Sequence, residues 1–248
     1  MERITRADDR IHRPAGPWTP TVHRLLAHLH EHGFVEAPEP IEVGHALETV
    51  SFIPGIAGNY PWTEDVASEA ALVTCARLLR NYHDAASAFI HDAELDTWSQ
   101  APRLPVETIC HGDFAPYNVV FNGRSAVGII DFDTAHPGPR VWDVASAVYR
   151  FAPFTTAPDR PRSVTTFPAQ LSRAVEFCRA YDLDPAGRAT IVEAMVGGLV
   201  ALVTWMETEA AAGNPKFISD IEHGDADLYR ADVAYIEEHA ASIREALA

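Results

Sequence analysis

The sequence predicts an α+β fold in two unequal parts, a strand-rich region of about fifty residues followed by a mostly helical remainder. Three observations carry this. Short β-type runs cluster before residue 55, apolar residues recur at helical spacing from Glu64 onward, and a compact β-rich block at 106–132 interrupts the helical pattern.

Taken in order, residues 3–6 and 10–13 read as strands about a turn at Ala7-Asp8-Asp9, with Ile11 and Arg13 on one face of the second. Thr21 reads as the N-cap of a helix whose apolar positions Val22, Leu25, Leu26 and Leu29 repeat at helical spacing, with Gly33 as its C-terminal cap. Residues 41–43 and 47–53 read as two further strands closed by Pro54-Gly55, so that 1–55 form the expected small lobe and 56–248 the larger part. Val66, Ala70, Leu72, Val73, Ala76, Leu78 and Leu79 then form an apolar stripe carrying a helix from Glu64 to about Phe89. Residues 99–105 read as a loop. After the β-rich block, helices are expected near 141–151, 169–181, 189–212 and 217–247, with a proline-rich surface loop at 153–168.

Composition bounds the function. The chain has 248 residues, 47% hydrophobic and 22% charged, which argues against disorder, collagen-like repeats and disulfide scaffolds. Against 35 acidic residues stand 19 basic ones, a net charge of −16 that repels a phosphate backbone, so general nucleic-acid binding is not expected. All the basic residues are arginine except Lys216. Cys75, Cys110 and Cys178 lie far apart with no C-x-x-C pair, which points away from disulfides and zinc and toward a reducing cytoplasm. The N-terminus lacks the apolar run of a secretory signal. The most apolar stretch, 194–206, is bounded by Glu193 and Glu207; at 13 residues it is too short to span a bilayer and reads as a buried helix, so no membrane partner is expected.

The chemistry concentrates in 110–133. Asn122-Gly123 is a hairpin turn signal, since both residues tolerate positive φ. With Phe121 facing Arg124, the return strand brings Asp131 level with Phe114, beside Asp113, and gathers Asp113, Asn118 and Asp131 at one end of the hairpin. Two carboxylates and a carboxamide suit a hard divalent cation such as magnesium, whereas two carboxylates alone would suit hydrolytic acid/base work. Spacing favours the first. His-x-Asp, an Asn five residues after the Asp and a later Asp-Phe match the phosphoryl-transfer arrangement, in which one Asp orients the acceptor hydroxyl while the Asn and later Asp hold the metal.

His111-Gly112-Asp113 through Asn118, Ile130-Asp131-Phe132-Asp133 and Trp142-Asp143-Val144-Ala145 together resemble the aminoglycoside phosphotransferase and choline kinase-like family, relatives of protein kinases. The resemblance implies a two-lobed protein kinase-like fold with a reduced β-rich N-lobe and a mostly helical C-lobe. It implies transfer of the γ-phosphoryl group of ATP, or GTP, to a hydroxyl of a small polar or cationic acceptor, with magnesium. More weakly, 78–84 resembles the helix end before the catalytic loop, and Phe52-Ile53-Pro54-Gly55 the hinge between lobes. On this resemblance Asp113 and His111 form the catalytic loop, Asp113 positioning and deprotonating the hydroxyl and His111 serving as a prop. Asn118 and Asp131 hold the metal, Asp143 ties down the loop through backbone N–H groups, and the adenine edge meets backbone near Ser51, Phe52 and Ile53. Asp133 is either a second carboxylate on the metal side or an exposed turn residue.

Two departures narrow this. Kinase-like folds grip the α- and β-phosphates with an N-lobe lysine held by a helix glutamate, but before residue 55 there is no lysine. Arg13 is the candidate replacement, and the only acid in the helix after it, Glu31, stands at the wrong end to hold it. Before Arg13 there is also no glycine, so the phosphate-covering loop is missing or reduced. Two readings compete: an active phosphotransferase with a shortened N-lobe, or a degenerate kinase-like protein that binds nucleotide or ligand without turnover. His28, His30 and His32 read as surface histidines, Trp62 and Trp142 as packing, and the run Glu207, Glu209, Asp220, Glu222, Asp225 and Asp227 as a solvated helix face, with a polyamine-like ligand as its alternative.

Overall fold

The computed structural model describes residues 4–89, 96–155 and 162–248, Arg162 by its backbone alone. The chain runs β1 (Thr5–Ala7), β2 (Arg10–Pro14), α1 (Thr19–Glu31), β3 (Pro40–Val43), β4 (Leu47–Ser51), β5 (Ile56–Ala57), α2 (Glu64–Ala67), α3 (Glu69–Ala86), β6 (Thr108–Cys110), β7 (Val119–Asn122), β8 (Ser125–Ile129), β9 (His136–Gly138), α4 (Arg140–Phe151), α5 (Arg162–Thr165), α6 (Phe167–Tyr181), α7 (Pro185–Ala211), α8 (Pro215–Glu222) and α9 (Asp225–Leu247). The expected strand at 3–6 begins outside the described residues, and the expected loop at 153–168 lies partly outside them and partly in α5 and α6.

The first four strands make one antiparallel sheet in the order β1-β2-β4-β3, with Arg13 of β2 directly opposite Glu48 of β4. Helix α1 packs beneath it through Leu25, Leu26 and Leu29, all buried in the main core. The helix starts earlier than expected: Trp18 is its N-cap residue, Pro20 sits in the first turn where a missing N–H costs nothing, and Thr21 is instead buried, its Oγ1 accepting the Thr97 N–H at 3.0 Å. Gly33, at φ +82°, closes it as anticipated: its N–H bonds His30 O and the Phe34 N–H bonds Leu29 O, a Schellman ending.

The single helix expected over 64–89 is broken at Ser68, whose extended backbone ends α2 while its Oγ accepts the Ala71 N–H and starts α3. The segment expected over 217–247 is likewise two helices, divided where Gly224 adopts φ +88°. Strand β5 pairs with β7, which joins β8 in a hairpin, and β6 pairs with β9. The hairpin register differs from expectation. Asn122 pairs with Ser125, so Gly123 and Arg124 form the turn and only Gly123 has positive φ; a bulge at Val120/Phe121 then shifts the pairing so that Val119 faces Ile129. Extrapolated, Asp131 returns level with Tyr117 rather than Phe114. The end of the hairpin to which it returns is unchanged.

The apolar stretch at 194–206 is the middle of a 27-residue helix, α7, because Glu193 and Glu207 point outward to Arg244 and Arg230 instead of ending it. By length and composition α7 is long and apolar enough to cross a membrane, with 33% of its most apolar window buried inside the fold. Its buried side chains Ile191, Val192, Met195 and Leu199 belong to the main core, and Val203 and Met206 to a second cluster with Phe217 and Ala226.

Candidate active site

The loop after β6 is built on one buried carboxylate. Asp143, in the first turn of α4, accepts the His111 N–H at 2.7 Å and the Gly112 N–H at 3.0 Å, and its Oδ2 lies 3.0 Å from His83 Nε2 on α3. His83 Nδ1 is 2.6 Å from the Tyr181 hydroxyl of α6. A neutral imidazole protonated on Nε2 satisfies both contacts, donating to the carboxylate and accepting from the phenol. Burial pushes the His83 imidazole below its ordinary value despite the nearby carboxylate. Burial alone would raise the Asp143 carboxyl, but His83 and His111 hold it below its usual range.

His111 is fully buried, and among the described residues its ring bonds only backbone. Its Nε2 lies 3.0 Å from Ile130 O, just before Asp131, while its Nδ1 accepts the Asp113 N–H at 3.3 Å, so one ring spans the two segments that present the aspartates. Gly112 between them adopts φ +81°, and a Cβ there would lie 2.3 Å from Thr134 O. No other residue fits without moving backbone.

Asp113 faces a cavity. Its Oδ1 accepts the Tyr117 hydroxyl at 2.8 Å, and Asn118 Nδ2 donates to both its Oδ2 and its carbonyl, at 3.0 and 2.9 Å. With the amide nitrogen so engaged, Asn118 Oδ1 is the atom left for a cation. Burial pushes the Asp113 carboxyl above its ordinary value, opposed by the Arg150 guanidinium of α4 and by the Tyr117 hydrogen bond. A carboxylate raised toward neutrality suits a general base.

Across from this loop stands Arg13. Its guanidinium contacts Glu48 Oε1 at 2.8 Å, Asp131 Oδ1 at 2.8 Å and Asp133 Oδ1 at 2.9 Å. Glu48 is 1% exposed, and its other oxygen lies 2.7 Å from His23 Nε2 of α1. An arginine–glutamate ion pair therefore exists, but the acid comes from the neighbouring strand; Glu31 takes no part. Asp131 sits at φ +66°, a left-handed conformation that aspartate tolerates better than most residues. Asp133 is half-buried against Arg13, not an exposed turn residue. For a divalent cation the oxygen set of Asn118, Asp131 and Asp133 is chemically apt, and Arg13 touches only one oxygen of each aspartate.

At the hinge, the Ser51 N–H bonds Glu39 O and the Phe52 N–H bonds Asp9 O, at 2.9 and 2.7 Å. Of the backbone N–H groups at Ser51, Phe52 and Ile53, that leaves only the Ile53 N–H without a backbone partner among the described residues. The Phe52 ring is covered by the Arg6 guanidinium at 3.5 Å.

Beyond Asp113 opens a cavity of about 710 Å³ bounded by α4, α7, α8 and α9. One side is aromatic and apolar, with Trp142, Leu202, Trp205 and Phe217; Glu209, Asp220 and Asp225 also reach it. Trp142 is thus cavity wall rather than core packing, with the Arg103 guanidinium 3.6 Å over its ring. The acidic run is divided: Glu207 and Asp227 pair with Arg230, Asp220 pairs with Lys216, and only part of it faces the cavity. The three histidines expected at the surface each bond a backbone carbonyl, His28 that of Ala85, His30 that of Ala37 and His32 that of His28. Glu48, Tyr117 and Arg150 were missed by motif reading. The signals existed: strands 10–13 and 47–53 could be paired with Arg13 opposite Glu48, and Arg150 follows Asp143 by seven residues on one helix face.

The sequence model of the phosphotransferase enzyme family matches residues 88–189. That match agrees with the resemblance read from the motifs, three of which lie within it. Trifolitoxin immunity protein of Rhizobium leguminosarum bv. trifolii is 33% identical over 141 residues, 54% of this chain; the chain spans about half, 52%, of that relative's length. Among solved structures, a choline/ethanolamine kinase family protein from Mesorhizobium loti superposes with a TM-score of 0.65 at 15% identity, covering 98% of this chain and 88% of the other. Amicoumacin kinase in complex with AMP-PNP, Ca2+ and Ami gives 0.59 at 12% identity, covering 86% and 81%. At these identities the structural likeness establishes the kinase-like fold.

Proposed function

We propose that this chain is a phosphotransferase that moves the γ-phosphoryl group of ATP to a hydroxyl of a small polar molecule held in the cavity between α4, α7, α8 and α9. The carrying observation is that Asp113 lines that cavity and is hydrogen-bonded by Asn118, while Asp131 and the cavity-lining Asp133 both pair with Arg13, itself held by buried Glu48. Residues 1–55 are read as the reduced N-lobe that presents Arg13, and Asp113, with its raised carboxyl, as the group that orients the acceptor hydroxyl and takes its proton. The acceptor oxygen bonds to the γ-phosphorus as the bond to the β,γ-bridging oxygen breaks, ADP leaves, and the proton passes to Asp113. His111 and Asp143 hold the loop, and the Ile53 backbone meets the adenine edge. Asn118 and Asp131, with Asp133 beside them, would hold magnesium, which neutralises phosphate charge when bound. Arg13, the N-lobe cation in the lysine's place, grips the phosphates in a bidentate manner.

The test is nucleotide turnover across aminoglycosides, choline, homoserine and sugars. Turnover by the wild type should fall about 10²–10⁴-fold in Asp113→Ala; turnover no higher than the mutant's would refute an enzymatic role. A second reading, ligand binding without turnover, is favoured by one observation: Arg13 engages both Asp131 and Asp133, and the β1–β2 turn that would cover phosphates carries Asp8 and Asp9 where glycines would stand. The name of the Rhizobium relative accords with either reading, since a toxin is silenced by phosphorylation or by being held.

A further inference from the structure

Arg150 stands unmatched in the cavity. It sits at the end of α4, half-buried, with its guanidinium carbon 5.9, 5.1 and 5.5 Å from the ring centres of Tyr117, Tyr149 and Tyr229. Its only hydrogen bond from the guanidinium, Nη2 to the Tyr229 hydroxyl, is a long one at 3.4 Å. Among the described residues no carboxylate lies within ion-pair distance of it, whereas Arg13, across the site, holds three. Three aromatic rings surround it, and it lines the cavity together with Asp113, on which its charge acts. A fixed guanidinium with unused donors in a cleft is a receptor for a planar anion, which it grips through two parallel N–H bonds.

We infer that Arg150 selects acceptors that carry a carboxylate close to the hydroxyl oriented by Asp113. This rests on the phosphotransferase reading of the same site and narrows its polar acceptor to a hydroxy acid. The order of groups follows from the cavity: the carboxylate meets Arg150, the neighbouring hydroxyl meets Asp113, and an apolar body lies along Leu202, Trp205 and Phe217. A monoanionic carboxylate matches Arg150, the cavity's other cations being engaged, Arg103 over Trp142 and Lys216 with Asp220, whereas a dianionic phosphate at that place would set surplus charge against Asp113. Arg150 is thus a specificity-determining residue; the nearness of its charge also restrains the Asp113 carboxyl.

The experiment uses matched pairs that differ only in charge: 3-hydroxydecanoate and its methyl ester, and N-acetylthreonine and its methyl ester. Binding to the full chain is measured by calorimetry without nucleotide, and kcat/KM with Mg-ATP. At least one acid should be preferred over its ester by about tenfold or more, the worth of one charge-assisted hydrogen bond. The preference should vanish in Arg150→Gln and recover in part in Arg150→Lys, with thermal melting confirming that both variants fold. Equal binding of acid and ester in the wild type, or no binding of either, overturns the inference, as does a preference that survives Arg150→Gln; the wild-type comparison stands even if a variant fails to fold. Mg-ATP binding measured in parallel separates the two layers. Acid preference without Mg-ATP binding refutes the phosphotransferase reading and leaves the carboxylate site standing, while Mg-ATP binding without acid preference does the reverse.

Discussion

Gly112 shows how one position can decide the candidate site. It carries φ +81°, and a Cβ would meet the Thr134 carbonyl at 2.3 Å, so Gly112→Ala must displace either the loop that holds Asp113 or the segment after Asp131. Forcing a side chain into that conformation costs about 1–3 kcal/mol before the clash is counted, and each kcal/mol lowers the melting temperature by roughly 2–4 °C in a chain of this size. A calorimetric scan should therefore show a clear drop together with lost turnover; an unchanged melting temperature would mean that the loop conformation is wrong. The glycine was visible in the sequence beside His111, but its cause was not, because the clash comes from a residue 22 positions away. Asp113, Asn118 and Asp131 were legible for the opposite reason: local spacing specifies them. Glu48 was not, because the expected partner lay on a helix and the one found lies across a strand pair, a relation that only register reveals. Arg150 belongs to no motif and acquires meaning only from the three tyrosines about it.

At the scale of elements, α3, α4 and α6 are joined by His83, Asp143 and Tyr181, a buried chain in which the histidine is neutral. Burial sets the folded pKa of His83 below its ordinary value, so its contribution to stability is intact above about pH 6.5 and is lost as pH falls below it, when the unfolded chain takes up a proton that the folded chain resists. The loss is bounded by about 1.4 kcal/mol for each pH unit between the two values. Denaturant titrations at pH 7.5 and 5.5 should show the stability gap between wild type and His83→Gln narrowing at the lower pH; a gap that widens would show that the histidine is charged in the fold. The strands and most helix positions followed from periodicity, because each element buries one face. The breaks at Ser68 and Gly224 did not, since apolar spacing continues across both and the interruption is set by capping and backbone geometry. The extent of α7 was not legible, because Glu193 and Glu207, which bound the apolar stretch, lie on the outward side of the helix rather than at its ends.

The whole molecule is asymmetric in how it is equipped. The side proposed for the acceptor is open, a cavity of about 710 Å³ with an apolar wall and, among the described residues, a guanidinium without an ion-pair partner. The side proposed for nucleotide is compact, with the Ser51 and Phe52 N–H groups bonded within the chain and Arg13 bridging strand and aspartates. The missing lysine and glycine loop, read from composition, thus correspond to an improvised arrangement in which strand-borne Glu48 presents Arg13. The account stands on whether that arrangement takes nucleotide. Calorimetric titration of the wild type and Arg13→Ala with Mg-ATP tests it most directly. Saturable one-to-one binding, weakened at least about tenfold in Arg13→Ala, is the result the account predicts; no binding by the wild type at millimolar Mg-ATP would contradict it.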